Sequence, residues 1–177
     1  MKLLVSLVVL LTITVPMASA QGKVTKETVP GITNYAHLET TVACAGAITT
    51  DSVPEIKKIG FASIINLREA TEQGANVEAE SDAAKKAGIK YFHVPFNGGM
   101  PTAAAVDDFL KAITAKGAEP AFIHCAGGNR AASMWFVKRA LIDKWAIDKA
   151  MAEATDLGFT SQPLKTFMTD YIKAHQK

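Results

Sequence analysis

The chain has 177 residues and a formal net charge of +2, from 19 lysine and arginine against 17 aspartate and glutamate residues. This length suits one domain with a sizeable hydrophobic core. The nearly balanced charge, without a basic run, argues against nucleic acid as the main partner.

The first twenty residues have the pattern of a secretory signal peptide. Lys2 precedes an apolar run from Leu3 to Val15, and Ala18-Ser19-Ala20 supplies the small residues of a cleavage site. A retained membrane anchor is the alternative, but the run is short for a spanning helix, and no later segment is apolar enough to span a membrane. We therefore expect an exported protein, periplasmic or secreted. The expected organisation is a signal peptide over residues 1–20, a polar N-terminal segment over residues 21–31 and one domain over residues 32–177.

Beyond the polar segment, strand-like and helix-like segments alternate without repeats or low-complexity linkers. The strand-like segments are Thr40–Ile48, Phe61–Leu67, Tyr91–Phe96 and Pro120–Ile123. The helix-like segments cover residues 52–60, 75–87, 102–117, 129–143, 147–157 and 164–172. Because most strands lead into helices, we predict an α/β fold with a mostly parallel central sheet and helices on both faces.

The most informative segment is His124-Cys125-Ala126-Gly127-Gly128-Asn129-Arg130. It places Cys125 at the end of a buried strand and Arg130 at the start of a buried helix, where α/β sheets bind their ligands. Backbone N–H groups and the Arg130 guanidinium would surround one anion there and favour the thiolate of Cys125. His124 is predicted to point away from Cys125 as a hydrogen-bonded core residue. The alternative is an inert buried cysteine followed by a plain turn.

Three segments carry a family resemblance. They are Gly60–Arg68, Gly88–Pro95 and the Cys-x-x-Gly-x-Arg pattern of residues 125–130. Together they resemble the phosphatase-like domain of the bacterial beta-lactamase-hydrolase-like family, which is similar to the dual-specificity branch of the protein tyrosine phosphatases. The resemblance spans about residues 33–171 and implies a cysteine-phosphatase-like fold.

The same resemblance implies hydrolysis of phosphate monoesters through a phosphocysteine intermediate, with no metal and no other cofactor. Cys125 would be the nucleophile and Arg130 the ligand of the equatorial phosphate oxygens. The implied phosphate-binding residues are Ala126, Gly127, Gly128, Asn129 and Arg130. The implied partner is a phosphorylated substrate whose type the sequence does not indicate, and it does not indicate the oligomeric state either.

Three positions depart from the usual phosphatase pattern. Four residues instead of five separate Cys125 from Arg130, as in the phosphatase-like subgroup, and Ala131 stands where a hydroxyl residue often assists the leaving thiolate. Asn97 stands where an aspartic general acid is expected, and an amide cannot donate a proton as an acid. Loss of a general acid costs roughly 10²–10⁴-fold on a poor leaving group, so slow hydrolysis of such substrates is expected.

Other polar residues near the predicted site are given structural roles. Asp107 and Asp108 lie near the start of a helix and are expected to interact with its dipole, with a catalytic role for either one as the alternative. Arg68 and Glu69 follow a strand and are expected to form a solvated ion pair or a structural brace, with a ligand contact as the alternative. The segment Gly98–Pro101 is either a mobile flap over the site or a plain turn.

Two other functions stay open. The Cys-x-x-Gly-Asn-Arg loop also resembles the active loop of rhodanese-like sulfurtransferases, in which a Cys125 persulfide would need no general acid. A non-catalytic anion-binding or redox module is the other alternative, in which Cys44 forms a disulfide with oxidised Cys125. A permanent structural disulfide between Cys44 and Cys125 is a further alternative, since export leads to an oxidising compartment.

Overall fold

The strands and helices of the chain follow the alternation expected from the sequence. The structure is a computed structural model that describes residues 22–39 and 41–176, so the expected signal peptide lies outside the described residues. The strands are β1 Val24–Val29, β2 Ile32–Leu38, β3 Val42–Ala45, β4 Ser63–Asn66, β5 Lys90–His93 and β6 Ala121–His124. The helices are α1 Val53–Lys58, α2 Val77–Ala87, α3 Ala103–Ile113, α4 Asn129–Leu141, α5 Ile147–Asp156 and α6 Gln162–His175.

The strands form one sheet in the order β1-β2-β3-β6-β4-β5. Strands β3, β6, β4 and β5 are parallel, whereas β1, β2 and β3 are joined by antiparallel pairings. The predicted α/β fold with a mostly parallel sheet is confirmed. The expected polar segment at residues 21–31 contains β1, and the sequence patterns did not predict β2. Edge strand β1 has no buried residue, so its composition does not carry the apolar pattern of a core strand.

Local signals fix the ends of the helices as the sequence predicts. The Thr102 side chain accepts a hydrogen bond from the backbone N–H of Ala105 at the start of α3. Gly88 ends α2 with a φ of +66°, a left-handed conformation that glycine adopts without strain. These signals orient α2 and α3 so that each returns the chain to the sheet.

The two faces of the sheet pack against different helices because successive strand residues point in opposite directions. Ile64 and Phe122 pack with α1 and α2, whereas Ile65 and Ile123 pack with α3, α4, α5 and α6. Helix α4 lies at the centre of the second layer and is buried along most of its length. Among the helices of the described residues, none is long and apolar enough to cross a membrane.

Candidate active site

The loop between β6 and α4 begins at a buried cysteine. Cys125 is 1% exposed, and its backbone N–H donates to the Ala45 carbonyl oxygen at 3.1 Å, which continues the parallel pairing of β6 with β3. The backbone N–H of Gly128 donates to Cys125 Sγ at 3.1 Å. The loop therefore folds back over the sulfur atom.

Neighbouring segments hold the loop carbonyls from outside. The Ala126 carbonyl accepts from the Ala47 N–H at 2.9 Å, and the Gly127 carbonyl accepts from Asn34 Nδ2 at 3.1 Å. In a trans peptide the C=O and the following N–H point in opposite directions. The N–H groups of Gly127 and Gly128 are thus turned toward the interior of the loop, as an anion site requires.

Gly128 links the loop to α4 and has a φ of +98°. Its carbonyl accepts the first backbone hydrogen bond of the helix, from the Ala132 N–H at 3.0 Å. The amino-terminal end of α4 therefore faces the loop and adds a partial positive charge to it. This arrangement is the strand–loop–helix junction predicted for residues 124–130.

Arg130, in the first turn of α4, is fixed by a carboxylate that sequence reasoning missed. Arg130 Nη1 donates to Glu72 Oε1 at 2.6 Å, and Nη2 donates to Glu72 Oε2 at 2.8 Å. Nη1 also contacts the carbonyl oxygens of Leu67 at 3.2 Å and Phe96 at 2.8 Å. These contacts occupy one edge of the guanidinium and fix its plane, because a paired fork of hydrogen bonds permits little rotation.

The pairing changes the pKa of both groups. Hydrogen bonding to Arg130 is the main reason that the pKa of Glu72 falls from 4.5 to about 2, against the opposing effect of burial. Burial alone would lower the pKa of Arg130, but hydrogen bonding to Glu72 and negative charge at Cys125 outweigh burial and raise it. Glu72 is therefore ionised at neutral pH and is not a proton donor.

Arg68 holds the segment that carries Glu72. Its guanidinium donates to the Gly74 carbonyl at 2.9 Å and to the Gln73 carbonyl at 2.6 Å, and Nε lies 3.4 Å from Glu72 Oε2. Arg68 is 4% exposed, so the structural brace is confirmed and the solvated ion pair is wrong. The sequence offers one weak signal for this arrangement, a glutamate four residues after an arginine at a strand end.

Asn97 organises the segment Gly98–Pro101 as a turn. Its Oδ1 accepts from the backbone N–H of Gly99 at 2.9 Å and of Met100 at 3.1 Å. Its Nδ2 donates to Glu69 Oε2 at 3.1 Å, so Glu69 pairs with an amide and not with Arg68. The turn packs against the aliphatic part of the Arg130 side chain, since a Cβ at Gly98 would be 3.2 Å from Arg130 Cγ.

The aspartates downstream of Asn97 are engaged elsewhere. Asp107 accepts a hydrogen bond from the hydroxyl of Tyr171 on α6. Asp108 pairs with Lys111 at 2.9 Å on the exposed face of α3. Both residues lie beyond the first turn of α3, so the expected role at the helix dipole is wrong. Asp107 thus connects α3 to α6, whereas Asp108 forms an ion pair within α3.

His124 faces away from Cys125, as predicted, into a buried polar cluster beside α2. His124 Nε2 lies 3.2 Å from Glu80 Oε2, although neither ring nitrogen meets hydrogen-bond geometry with a described residue. Glu80 Oε2 also accepts from Asn66 Nδ2 at 2.7 Å and from the Tyr91 hydroxyl at 3.0 Å. Burial is the main cause that raises the pKa of Tyr91. Through Glu80, the cluster connects α2 to Asn66 on β4 and to His124 on β6, the strand that leads into the loop.

Cys44 and Cys125 are both free thiols in the structure. They belong to the same core layer, on neighbouring strands β3 and β6. Burial raises the pKa of Cys44 well above its ordinary value, and negative charge at Cys125 and Glu153 raises it further. Because both thiols are free, the expected alternative of a permanent disulfide between Cys44 and Cys125 is wrong for this structure.

A groove adjoins the loop on its outer side and has a volume of about 560 Å³. One wall is the loop itself at Gly127–Asn129, the second is formed by β1 and β2, and the third by residues 157–160. Asn129 ties the third wall to the loop, because its Oδ1 accepts from the N–H of Ser161 at 3.1 Å and its Nδ2 donates to the Thr160 hydroxyl at 2.6 Å.

The sheet and its two helical layers have the fold of solved protein tyrosine phosphatase-like structures. Residues 34–142 match the family described as "Beta-lactamase hydrolase-like protein, phosphatase-like domain". The chain belongs to this family, and the resemblance seen in the sequence is confirmed.

Similar proteins come from several bacteria and from yeast. A Beta-lactamase hydrolase-like protein of Xylella fastidiosa is 33% identical over 122 residues, which are 67% of this chain and 28% of that protein. This chain therefore spans about a quarter of the length of the curated relative. A DUF442 protein of Shewanella putrefaciens CN-32 superposes with a TM-score of 0.69 at 17% identity, covering 83% of this chain and 96% of its own. The core catalytic domain of the PP-IP phosphatase SIW14 from S. cerevisiae superposes with a TM-score of 0.62 at 17% identity. The match covers 79% of this chain and 88% of the SIW14 chain.

Proposed function

We propose that this protein is a cysteine-dependent hydrolase of phosphate monoesters, of the tyrosine or dual-specificity type. Cys125 Sγ, as the thiolate, attacks phosphorus and forms an S–P bond while the bond from phosphorus to the leaving oxygen breaks. Water then attacks the phosphocysteine, the S–P bond breaks, and inorganic phosphate and the thiolate are released. The N–H groups of Ala126 to Arg130 and the guanidinium of Arg130 hold the phosphate oxygens in both steps.

The observation that carries this proposal is the fixed orientation of Arg130. Glu72 and two carbonyls occupy Nη1 and one edge of the guanidinium, which leaves Nε and part of Nη2 for an anion. The folded protein already holds the guanidinium in this orientation. Phosphate binding therefore requires little further reorganisation of the site.

The site favours substrates with good leaving groups. Asn97 cannot act as an acid, and Glu72 is ionised by Arg130. The leaving oxygen must then depart as an anion and take its proton from water. We expect kcat/KM to fall steeply as the pKa of the leaving alcohol rises across a series of substituted aryl phosphates.

The test is phosphate release from p-nitrophenyl phosphate by the reduced protein, beside the variants Cys125→Ser and Arg130→Lys. The proposal expects turnover that vanishes in Cys125→Ser and falls about 10²-fold or more in Arg130→Lys, because an ammonium group cannot replace the paired donors. Thr41→Ser serves as the matched control, a small hydroxyl change on the loop before β3. Turnover that survives in Cys125→Ser would reject the mechanism.

A separate variant tests whether Glu69 is a general acid, because its carboxylate is held beside Asn97. Glu69→Gln should leave the slope of kcat/KM against leaving-group pKa unchanged if no carboxyl protonates the leaving oxygen. A steeper slope in Glu69→Gln would instead identify Glu69 as the general acid.

Sulfur transfer is the second candidate function, favoured by the same lack of an acid, since Asn97 is an amide and Glu72 is ionised. The Cys125 thiolate would take a sulfur atom from thiosulfate, releasing sulfite and forming a persulfide. Cyanide would then remove that sulfur as thiocyanate and restore the thiolate. Thiocyanate formation that needs Cys125, without phosphate release, would move the assignment to sulfur transfer; inactivity in both assays would favour the non-catalytic module.

We also propose that the protein is exported and functions in the periplasm or outside the cell. The apolar run and the small residues at Ala18-Ser19-Ala20 support this proposal. Mass analysis of the protein recovered from a periplasmic extract should give an amino terminus at Gln21. A chain that retains Met1 and stays in the cytoplasmic fraction would reject it.

A further inference from the structure

We infer that Asn34 is a positioning residue for the Cys125 thiolate and acts through the peptide bond that joins Gly127 to Gly128. The inference rests on the proposed function, in which the thiolate of Cys125 is the nucleophile, and it adds a side chain from outside the loop to that site. Asn34 lies on β2, 93 positions before Gly127, so only the tertiary fold brings it to the loop.

One peptide plane connects the Asn34 side chain to the sulfur atom. Asn34 Nδ2 donates to the carbonyl oxygen of Gly127 at 3.1 Å. The N–H of the same peptide belongs to Gly128 and donates to Cys125 Sγ at 3.1 Å. Because the C=O and the N–H of a trans peptide point in opposite directions, the side-chain amide and the sulfur lie on opposite sides of this peptide. A hydrogen bond accepted by the carbonyl polarises the peptide and strengthens the bond that its N–H donates.

The peptide between Gly127 and Gly128 needs an external restraint. Neither of the two flanking α-carbons carries a side chain, so rotation of the peptide plane meets little steric resistance. A Cβ at Gly127 would meet nothing within 4 Å, so no packed atom restrains that side of the loop. A rotated plane would turn the carbonyl oxygen toward the sulfur and repel the thiolate. The hydrogen bond from Asn34 opposes this rotation.

An irregularity in β2 directs Asn34 toward the loop. The pairing of β1 with β2 changes register between Glu27 and Val29, where β2 has two residues opposite one residue of β1. Asn34 is one of these two residues and has a φ of +48°, in the left-handed region that asparagine tolerates better than most residues. Ile32 and Tyr35 consequently pack in the same core layer, although regular alternation would place them on opposite faces. Such bulges redirect a side chain beside a functional site.

Backbone hydrogen bonds fix the irregularity relative to the loop. The Thr33 N–H donates to the Ala47 carbonyl at 2.9 Å, and the Gly46 N–H donates to the Thr33 carbonyl at 2.7 Å. The Ala47 N–H in turn donates to the Ala126 carbonyl of the loop at 2.9 Å. A Cβ at Gly46 would lie 2.8 Å from the Ala126 carbonyl oxygen, so glycine permits this close approach. Asn34, the residue after Thr33, is therefore held beside the loop.

The experiment measures alkylation of Cys125 by iodoacetamide, a neutral reagent that reacts with the thiolate and does not depend on anion binding. Mass spectrometry distinguishes label on Cys125 from label on Cys44. Asn34→Gly keeps the left-handed conformation and removes the amide, so we expect alkylation at pH 6 about three- to tenfold slower than in the wild type. At pH 9.5 thiols are largely ionised, and the two rates should agree within about twofold.

A second variant and a matched control complete the comparison. Asn34→Asp has nearly the same shape, but its carboxylate has no N–H to donate, so alkylation at pH 6 should slow at least as much. Glu39→Gly is the control, because Glu39 also has a φ of +48° and follows the far end of β2; both rates should stay unchanged. Arg130 and Cys44, which interact electrostatically with Cys125, are the same in every variant.

Equal rates at pH 6 in the wild type and Asn34→Gly would overturn the inference. An equal loss at both pH values would also overturn it, because the variant would then have changed access to the sulfur and not the thiolate. Asn34→Asp decides the question if Asn34→Gly does not fold. Phosphate release from p-nitrophenyl phosphate is measured beside alkylation. An Asn34-dependent rate at pH 6 without turnover by the wild type would keep the positioning role and reject phosphate hydrolysis, and turnover with Asn34-independent alkylation would do the opposite.

Discussion

Glu72 and Arg130 are joined by two parallel hydrogen bonds, Oε1 to Nη1 at 2.6 Å and Oε2 to Nη2 at 2.8 Å. The two residues are 58 positions apart in the sequence, and the tertiary fold brings them together. Arg130 lies next to the buried cysteine loop, whereas Glu72 lies in an irregular segment braced by Arg68. In the proposed mechanism, we expect Glu72 to be a positioning residue that orients Arg130 for the phosphate.

Replacing Glu72 with glutamine should impair anion binding through Arg130. An amide supplies one acceptor oxygen in place of two, so the guanidinium loses its paired contact and part of its orientation. We expect Glu72→Gln to lower kcat/KM for p-nitrophenyl phosphate by roughly 10- to 100-fold. Competitive inhibition by inorganic phosphate should weaken in parallel. Glu55→Gln, at a surface pair with Lys58, is the control and should leave both values unchanged; an equal loss in both variants would contradict the positioning role.

Stability should depend on pH through the same carboxyl. The pKa of Glu72 falls from 4.5 to about 2 in the folded protein, mainly through hydrogen bonding to Arg130. Because the folded pKa is the lower one, the stabilisation is complete above pH 4.5 and is lost as the pH falls toward 2. In urea unfolding experiments, Glu72→Gln should therefore be less stable than the wild type at pH 7, and the difference should shrink by pH 3. A difference that is constant from pH 7 to pH 3 would contradict this account.

The two glycines of the loop should respond differently to alanine. Gly128 has a φ of +98°, so Gly128→Ala should destabilise the fold by about 1–2 kcal/mol and disturb the loop N–H groups. A Cβ at Gly127 meets nothing within 4 Å, and Gly127 is not among the residues with a positive φ, so Gly127→Ala is the matched control. Thermal unfolding and p-nitrophenyl phosphate turnover measure both effects. Equal losses in the two variants would show that the backbone angle is not the cause.

The substitution Asn97→Asp would place a carboxylic acid where the protein has an amide. In Asn97→Asp one carboxyl oxygen can still accept from Gly99 and Met100, while the other faces Glu69, and such carboxyl pairs raise the pKa of one member. We expect kcat/KM to rise about tenfold or more for phenyl phosphate and to change less than twofold for p-nitrophenyl phosphate, whose leaving group needs no acid. Asn97→Ser is the control. Equal changes on both substrates would indicate a displaced turn and no acid catalysis.

Disulfide formation between Cys44 and Cys125 stays a prediction, and the structure indicates its rate. Burial raises the pKa of Cys44, so this residue is protonated at neutral pH and attacks an oxidised Cys125 slowly. After limited peroxide treatment, mass spectrometry should detect the disulfide forming faster at pH 9 than at pH 7. Cys44→Ser should instead accumulate further oxidised Cys125. Two free thiols that persist at both pH values would reject the hypothesis of a resolving Cys44.

The sequence by itself determined the elements that depend on local pattern. The apolar run before Cys125, the two glycines and the buried helix after Arg130 predict a strand–loop–helix junction, because strand and helix periodicity and backbone freedom are local properties. The resemblance of the loop and the segments Gly60–Arg68 and Gly88–Pro95 was sufficient to indicate the family. The side of β6 on which His124 lies followed from the strand alternation alone.

Tertiary structure decided what depends on residues distant in the chain. Edge strand β1 carries no apolar alternation, so only its pairing with β2 makes it a strand. The role of Glu72 exists because Arg68 folds an irregular segment against Arg130, and no local pattern encodes that contact. Contacts between side chains that are distant in the chain depend on how strands and helices pack together. Such packing leaves no periodic pattern in a single sequence.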